Sequence, residues 1–394
     1  MMPGVIYIFT LSAFALGLAE FVPVGLNNVI AAGLGINVTQ SGSIVTAYAL
    51  GAALSAPLLS ALTAGCSGKK ILLAAMLIFS VGSFGAAITS SLPVMVISRF
   101  IAGAGHGLFL AVAAGTAARL AGQEKAGRAV ATVFGGFTLA MAIGVPLSTW
   151  FGGIIAWRPV MGAIGVAGAM GIVGLAAGIR DPLAPEHKRT AASPLYALFH
   201  LSLLSAALVT VLAYAGSFTV YTYLTPLLLQ KTGVSSDSVT VVMLVSGIAA
   251  GLGNFAGGRL TDTLGINRAN LVIIGGIMLI VFGMWLFSES VIIMFLLSGL
   301  LGIFTFGSVP SLQARLLGVA SVKAPQASSV ASGLNIAGFN LGIALGSVTG
   351  GQVIIHAGIG SLGLAGSLLA LAGILLLGFQ IRSANAIVAG TKAL

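Results

Sequence analysis

Twelve times along this chain an apolar run recurs that is long enough to cross a lipid bilayer. The runs read as 5–32, 41–64, 71–89, 94–118, 128–150, 157–179, 201–229, 236–258, 269–287, 291–316, 325–350 and 359–381. A helix needs about 18 or more apolar residues to span the hydrocarbon core, and it satisfies every backbone N–H and C=O within its own segment there. Soluble domains are excluded by charge: 6% of the 394 residues are charged, against about 25% in a soluble chain. The expected fold is all-α and integral to the membrane, with twelve transmembrane helices.

The basic residues sit at the ends of the runs. Lys69 and Lys70 follow the second run, Arg119, Lys125 and Arg128 the fourth, and Arg180, Lys188 and Arg189 the sixth. Arg259 and Arg268 flank the connection after the eighth, Arg315 and Lys323 follow the tenth, and Arg382 and Lys392 lie in the tail. Only Arg158 and Lys231 fall on the opposite side, and Arg99 lies inside the fourth run. This bias predicts that both termini and the even-numbered loops are cytoplasmic. It also accounts for the net charge of +10 without a nucleic-acid partner. The single cysteine, Cys66, precludes a disulfide within the chain. The first run lacks a basic leader and is too long for a signal sequence, so it reads as the first span.

The longest polar connection, RDPLAPEHKRTAASP (180–194), divides six runs from six. The expected organisation is an N-terminal half 1–179, a cytoplasmic linker 180–200 and a C-terminal half 201–394. Weak echoes relate the halves: SALTAGCSGKK (60–70) and GRLTDTLGINR (258–268) follow equivalent runs, and GVPLSTWFGG (144–153) parallels ALGSVTGGQ (344–352). Two six-span halves around a central cavity suggest a secondary transporter with its site between them.

These residues carry a resemblance. LAEFVPVGLNNVIAAGLGINVTQSGSIVTAYALGAALSAPLL (18–59), SRFIAGAGHGLF (98–109), GVPLSTWFGG and GLNIAGFNLGIALG (333–346) resemble the major facilitator superfamily. Within it they resemble the 12-span drug and sugar proton antiporters, the arabinose-efflux-like permeases above all. The resemblance implies proton-coupled efflux across a bacterial inner membrane by a monomer, with a small-molecule substrate, protons and lipid as partners and no cofactor. It implies motif roles for Gly103 in the fourth span, for Gly144, Pro146, Gly152 and Gly153 in the fifth, and for Gly258, Asp262 and Gly265 after the eighth. Ala64 stands where the family's first-half loop has an acid. A charge lock is therefore expected in the second half alone, with Asp262 facing a helix end or an Arg. Pro146 is expected to bend the fifth helix, and Gly144–Gly153 to pack closely on a neighbour.

Glu20 is the one acid deep within any run. A bare carboxylate in hydrocarbon is costly, so the group has to be neutral, paired or in contact with water. Snorkelling from a helix end competes as an explanation. However, Glu20 lies ~12 residues, or ~18 Å, from the end of its run. In the fourth run Arg99 and His106 are two turns apart on one face, with Gly103 between them, and His106 reaches the depth of Glu20. The resemblance lines the central cavity with spans one and four, which brings the three groups together. Glu20 is expected to carry the proton, with His106 as its hydrogen-bond partner and Arg99 tuning it. A histidine bonded to a backbone carbonyl, and an arginine that fixes helix four by bonding helix ends, are the structural alternatives.

Neutral groups complete the candidates: Asn28 (with Asn27 beside it), Tyr48, Tyr214, Tyr221, Asn254, Asn335 and Asn340, with Tyr223 nearby. Amides and phenols bond hydroxyls and stack on flat ligands, which suits a sugar or a weakly basic amphiphile. Asn335 and Asn340 lie about 140° apart on a helix, and Asn340 is favoured for the cavity. No P-loop, H-E-x-x-H or C-x-x-C motif occurs, so neither an enzyme nor ATP-driven transport is expected. An uncoupled facilitator of the same fold is the alternative function.

Overall fold

The computed structural model describes residues 3–63, 66–122, 126–154, 156–179, 199–323 and 328–392. Among them every regular element is helical. The first half comprises α1a (Gly4–Gly25), α1b (Asn27–Leu34), α2 (Val38–Thr63), α3 (Gly68–Ile88), α4 (Leu92–Ala121), α5a (Ala126–Leu139), α5b (Val145–Ile154) and α6 (Trp157–Gly178). The second comprises α7a (Leu201–Tyr221), α7b (Leu224–Leu227), α8 (Ser236–Leu264), α9 (Ile266–Leu286), α10 (Val291–Lys323), α11 (Ser328–Ala357) and α12 (Leu362–Lys392). A π-turn, Ala140–Gly144, joins α5a to α5b, and another, Leu228–Thr232, follows α7b. Among the described residues twelve spans are long and apolar enough to cross a membrane, in the order the sequence predicts.

One packing scheme is used twice. The first span packs on α5a and α6, α2 on α4, and α3 on α4 and α6. Likewise α7a packs on α11 and α12, α8 on α10, and α9 on α10 and α12. Glycine brings the paired backbones together. A Cβ at Gly103 of α4 would collide with the Tyr48 carbonyl of α2, and one at Gly257 of α8 with the Gly307 carbonyl of α10. Without a hydrophobic drive between helices in lipid, such close backbone approach supplies the van der Waals contact that holds a bundle. The halves meet where α2 faces α11 and where α8 faces the π-turn of the fifth span.

The first helix of each half is broken. Pro23 and the break at Leu26 divide span one; the break at Thr222–Tyr223 and Pro226 divide span seven. Each broken span ends on a glycine of positive φ, Gly35 at 63° and Gly233 at 74°, which lets the chain reverse without Cβ strain. Sequence reading treated each span as continuous.

Two expectations about charge are corrected. Arg315 is not a loop residue: α10 continues to Lys323, so Arg315 is buried within the bundle. It donates to the Ala206 carbonyl at 3.3 Å and to the Gln380 side chain. Gln380 in turn donates to the Ser205 carbonyl at 2.9 Å, which ties α10, α12 and α7a. Asp262 lies on the last turn of α8, exposed, and among the described residues it enters no ion pair or hydrogen bond. Among the described residues no cation is paired with it, so the expected charge lock is not seen there. The Gly258 backbone packs near Pro310, and Gly265 ends α8 with φ 80°. Ala64 and nearly all of the 180–200 linker lie outside the described residues. Lys69 does find a role, donating to the Ala176 carbonyl at 2.9 Å and to that of Ile179 at the end of α6, where helix carbonyls lack amide partners.

Candidate functional site

A proline builds the site. Pro23 has no N–H, so the Ala19 carbonyl one turn earlier loses its helical partner. The guanidinium of Arg99 replaces it: Nη2 donates to Ala19 O at 2.7 Å, while Nε reaches Ile44 O of α2 at 3.4 Å. Arg99 is fully buried and lies 4.1 Å from the centroid of the Tyr48 ring. This is a cation–π contact. Arg99 thus clamps α4 to α1a and α2 through backbone carbonyls. It lies within electrostatic reach of Glu20 but makes no ion pair with it among the described residues.

Glu20, the next residue after the capped carbonyl, is buried with 5% exposure. Its Oε2 lies 3.8 Å from Nδ1 of His106, an ion-pair distance too long for a hydrogen bond. The hydrogen-bond partner of His106 is instead Tyr48, whose hydroxyl sits 2.8 Å from Nδ1 and 3.2 Å from the Leu16 carbonyl. Sequence reading grouped Tyr48 with the substrate contacts; the fold turns its hydroxyl into the Glu20–His106–Arg99 cluster. One hydroxyl hydrogen serves two acceptors there. If it goes to Leu16, Nδ1 carries the hydrogen and faces both Tyr48 and Glu20; if it goes to Nδ1, the Leu16 carbonyl is released.

Beside the cluster an aromatic group crosses between the halves. Phe21 of α1a touches Phe137 of α5a (5.6 Å between centroids), Phe306 of α10 (5.6 Å) and Phe218 of α7a (6.4 Å). Tyr214 stacks on Phe218 at 5.6 Å and meets Phe339 of α11 at 4.5 Å. Tyr221 lies against Phe218 and Phe306, and His106 meets Phe137 edge-on at 5.6 Å. Phe21 was missed at the sequence level because one phenylalanine in an apolar run carries no signal; its neighbours are distant in sequence.

The asparagines divide. Asn335 is fully used: its Oδ1 accepts from Thr210 at 2.9 Å and its Nδ2 donates to Gln313 at 2.7 Å, which makes it a pin between α11, α7a and α10. Asn340 donates to Ile336 O within α11 and leaves Oδ1 buried without a partner. Asn28 of α1b also keeps a partnerless buried Oδ1. Asn254 is half-buried on α8, a turn or two beyond Gly247 and Gly251, whose Cβ positions abut Met141 and Thr138 of the opposite half.

Span five widens into its π-turn just before buried Pro146, whose ring cannot donate to the preceding turn. A Cβ at Gly144 would meet the Leu18 side chain, and one at Gly152 would lie 2.6 Å from Leu26. Span five therefore rests on span one on either side of Glu20. Gly153 follows on the same helix.

The bundle end remote from the N-terminus is closed. Asn27 Nδ2 donates to Thr222 O at 3.3 Å, Thr225 to Val24 O at 3.2 Å, and Ser347 to Gly42 O at 2.9 Å. Within the second half the Tyr223 hydroxyl donates to Ser347 O at 3.0 Å, and it abuts Gly42 of the first half. Above lies an open cleft of about 240 Å³ lined by Thr39, Ser43, Tyr223 and Gln352 among others.

Known proteins resemble this chain. The sequence model of the Major Facilitator Superfamily matches residues 9–324 and 206–392. The uncharacterized MFS-type transporter YtbD of Bacillus subtilis is 35% identical, covering 94% of this chain and 93% of that protein. The inner membrane transport protein YdhP of Escherichia coli K12 is 35% identical over 89% of this chain and 88% of its own. A probable sugar efflux transporter of Helicobacter pylori G27 is 30% identical over 93% and 92%. The crystal structure of a bacterial homolog of the human lysosomal transporter Spinster, inward-facing and unoccupied, is similar in fold. Its TM-score is 0.68 at 16% identity, over 97% of this chain and 95% of that one.

Proposed function

The chain belongs to the major facilitator superfamily, and on that premise we propose that it is a proton-coupled secondary exporter of small molecules, a sugar or an amphiphilic drug, working by alternating access. The observation that carries the proposal is the buried Glu20 facing His106 at 3.8 Å. A charged acid at a helix centre costs about 2.5–3.5 kcal/mol on insertion scales. Protonation removes that cost and deprotonation restores it, so the two states differ in how well the cluster tolerates closure around it. A conformational equilibrium that binds the proton differently on its two sides couples to a gradient.

The substrate is proposed to lie against the aromatic group around Phe21, with the free amide oxygens of Asn28 and Asn340 as acceptors. Flat faces with a few hydrogen-bonding groups suit a sugar ring or a planar amphiphile, and the printed name of the Helicobacter relative supports a sugar. The name of the Escherichia relative supports an inner-membrane location, and the loop charges support cytoplasmic termini.

The test is transport in proteoliposomes with an imposed pH gradient, substrate first being found by thermal shift against sugars, nucleosides and cationic drugs. Glu20→Gln should bind substrate and exchange it at equal pH, but lose the response to the gradient. A normal response in Glu20→Gln places coupling elsewhere. A parent protein that ignores the gradient is an uncoupled facilitator.

A further inference from the structure

Each half opens with a proline-broken helix, and each break strands backbone carbonyls. In span seven Pro226 cannot donate to Thr222 O, the carbonyl one turn earlier. In span one the break at Leu26 makes Val24 and Gly25 the end of α1a, and terminal helix carbonyls have no intrahelical amide. All of these sit at the closed end, buried from water. A buried carbonyl without a donor is destabilising, more so where lipid surrounds the bundle.

The donors come from the opposite half. The stranded Thr222 O accepts from Asn27 Nδ2 at 3.3 Å. The stranded Val24 O and Gly25 O share the single hydroxyl hydrogen of Thr225, at 3.2 and 3.4 Å from Oγ1. Asn27 is 1% exposed and Thr225 4%. The Ser41 hydroxyl lies 2.6 Å from Asn27 Oδ1 and 2.7 Å from the Val38 carbonyl; donated to Oδ1, its hydrogen holds the amide with its N–H toward Thr222. The contrast with Ala19 O is informative. That carbonyl is also stranded by a proline, but its donor Arg99 belongs to the same half and stays with it whatever the halves do.

We propose that Asn27 and Thr225 form a reciprocal clasp, each capping the carbonyls stranded by the helix break of the other half, and that this clasp sets how often the closed end opens during transport. When the halves part there, both caps are lost together and water has to take their place. The closed state is therefore favoured by donors that exist only while the halves touch. The clasp needs no proton and no substrate, so it stands apart from the role of Glu20.

The test is a distance measurement across the cleft. In a Cys66→Ser background, Ser43→Cys on α2 and Gln352→Cys on α11 carry spin labels, and electron–electron resonance in liposomes reads the distance distribution. Asn27→Ala and Thr225→Val should each raise the long-distance fraction several-fold over the parent, and the double variant should raise it further. Thr225→Val is isosteric, so it carries the test if Asn27→Ala fails to give a monodisperse protein. Distributions superimposable on the parent for Thr225→Val and for every other variant that folds overturn the clasp. A change in Thr225→Val alone, with folded Asn27→Ala inert, overturns its reciprocity.

Discussion

The Tyr48 hydroxyl lies 2.8 Å from Nδ1 of His106, and the ring that carries it lies under the Arg99 guanidinium. One residue of α2 therefore touches two of the three ionisable groups of the cluster, and a third contact, to Leu16 O, anchors it to the helix that bears Glu20.

Tyr48→Phe separates these functions. It keeps the ring beneath Arg99 and removes both hydrogen bonds. A lost hydrogen bond is worth about 0.5–1.5 kcal/mol, roughly 2–10-fold in an equilibrium constant. Transport should persist at reduced rate, and the pH profile of exchange should shift, because Glu20 then has no competitor for Nδ1. Measured pH profiles that coincide with the parent would remove Tyr48 from the proposed coupling cluster. His106→Asn should also shift the profile without abolishing transport.

The bond between Arg99 and Ala19 O makes a prediction about stability. Arg99→Lys loses the planar fork and the stacking on Tyr48 and strands Ala19 O, with an expected loss of about 1–3 kcal/mol. Pro23→Ala returns an N–H to that carbonyl. The two changes should therefore be non-additive: thermal melting in detergent should show Arg99→Lys rescued in part by Pro23→Ala. Additive losses would mean that Arg99 acts through Ile44 or Tyr48 alone.

How far the sequence was legible follows from these residues. The twelve spans were readable because apolar length is a local property. Glu20, Arg99 and His106 were readable as candidates because charge in hydrocarbon needs a reason. Their partners were not. Arg99 bonds backbone carbonyls, which leave no trace in residue identity, although Pro23 marks the one carbonyl in need of a donor. Asn27 and Thr225 look like ordinary polar residues until the halves are brought together. Arg315 was misplaced because a cation near the end of a run reads as a loop residue, when its acceptors are a carbonyl of α7a and the Gln380 side chain.

The exposed pair Lys231–Glu289, 2.6 Å apart, supplies a control for pH work. The Lys231 ammonium bonds the Glu289 carboxylate and holds it below the usual carboxylate range. A depressed carboxylate contributes its stability above the unfolded value, and loses it as pH falls through the folded one. Glu289→Gln should therefore leave the pH profile of transport between about 5 and 8 unchanged, since an ordinary Glu titrates near 4.3. A shifted profile would show that this surface pair reaches the transport cycle.

The glycines differ in what stands against them, and so should their variants. At Gly103 an added Cβ meets the Tyr48 carbonyl, which is backbone and cannot rotate away. Gly103→Ala has to push α4 off α2, dragging Arg99 and His106 from their partners. Overpacking of this kind costs about 1–3 kcal/mol, so both the melting temperature and the transport rate should fall. At Gly144 the obstacle is the end of the Leu18 side chain, with the Phe14 ring at 3.2 Å, and a side chain can adopt another rotamer. Gly144→Ala should keep more than half of parental transport. Gly144→Leu adds a branched chain where span five rests on span one beside Glu20, so it should abolish transport while most of the protein remains folded in the membrane. Near-normal transport by Gly144→Leu would show that this contact opens during the cycle. A harmless Gly103→Ala would show that α2 and α4 yield where their backbones meet.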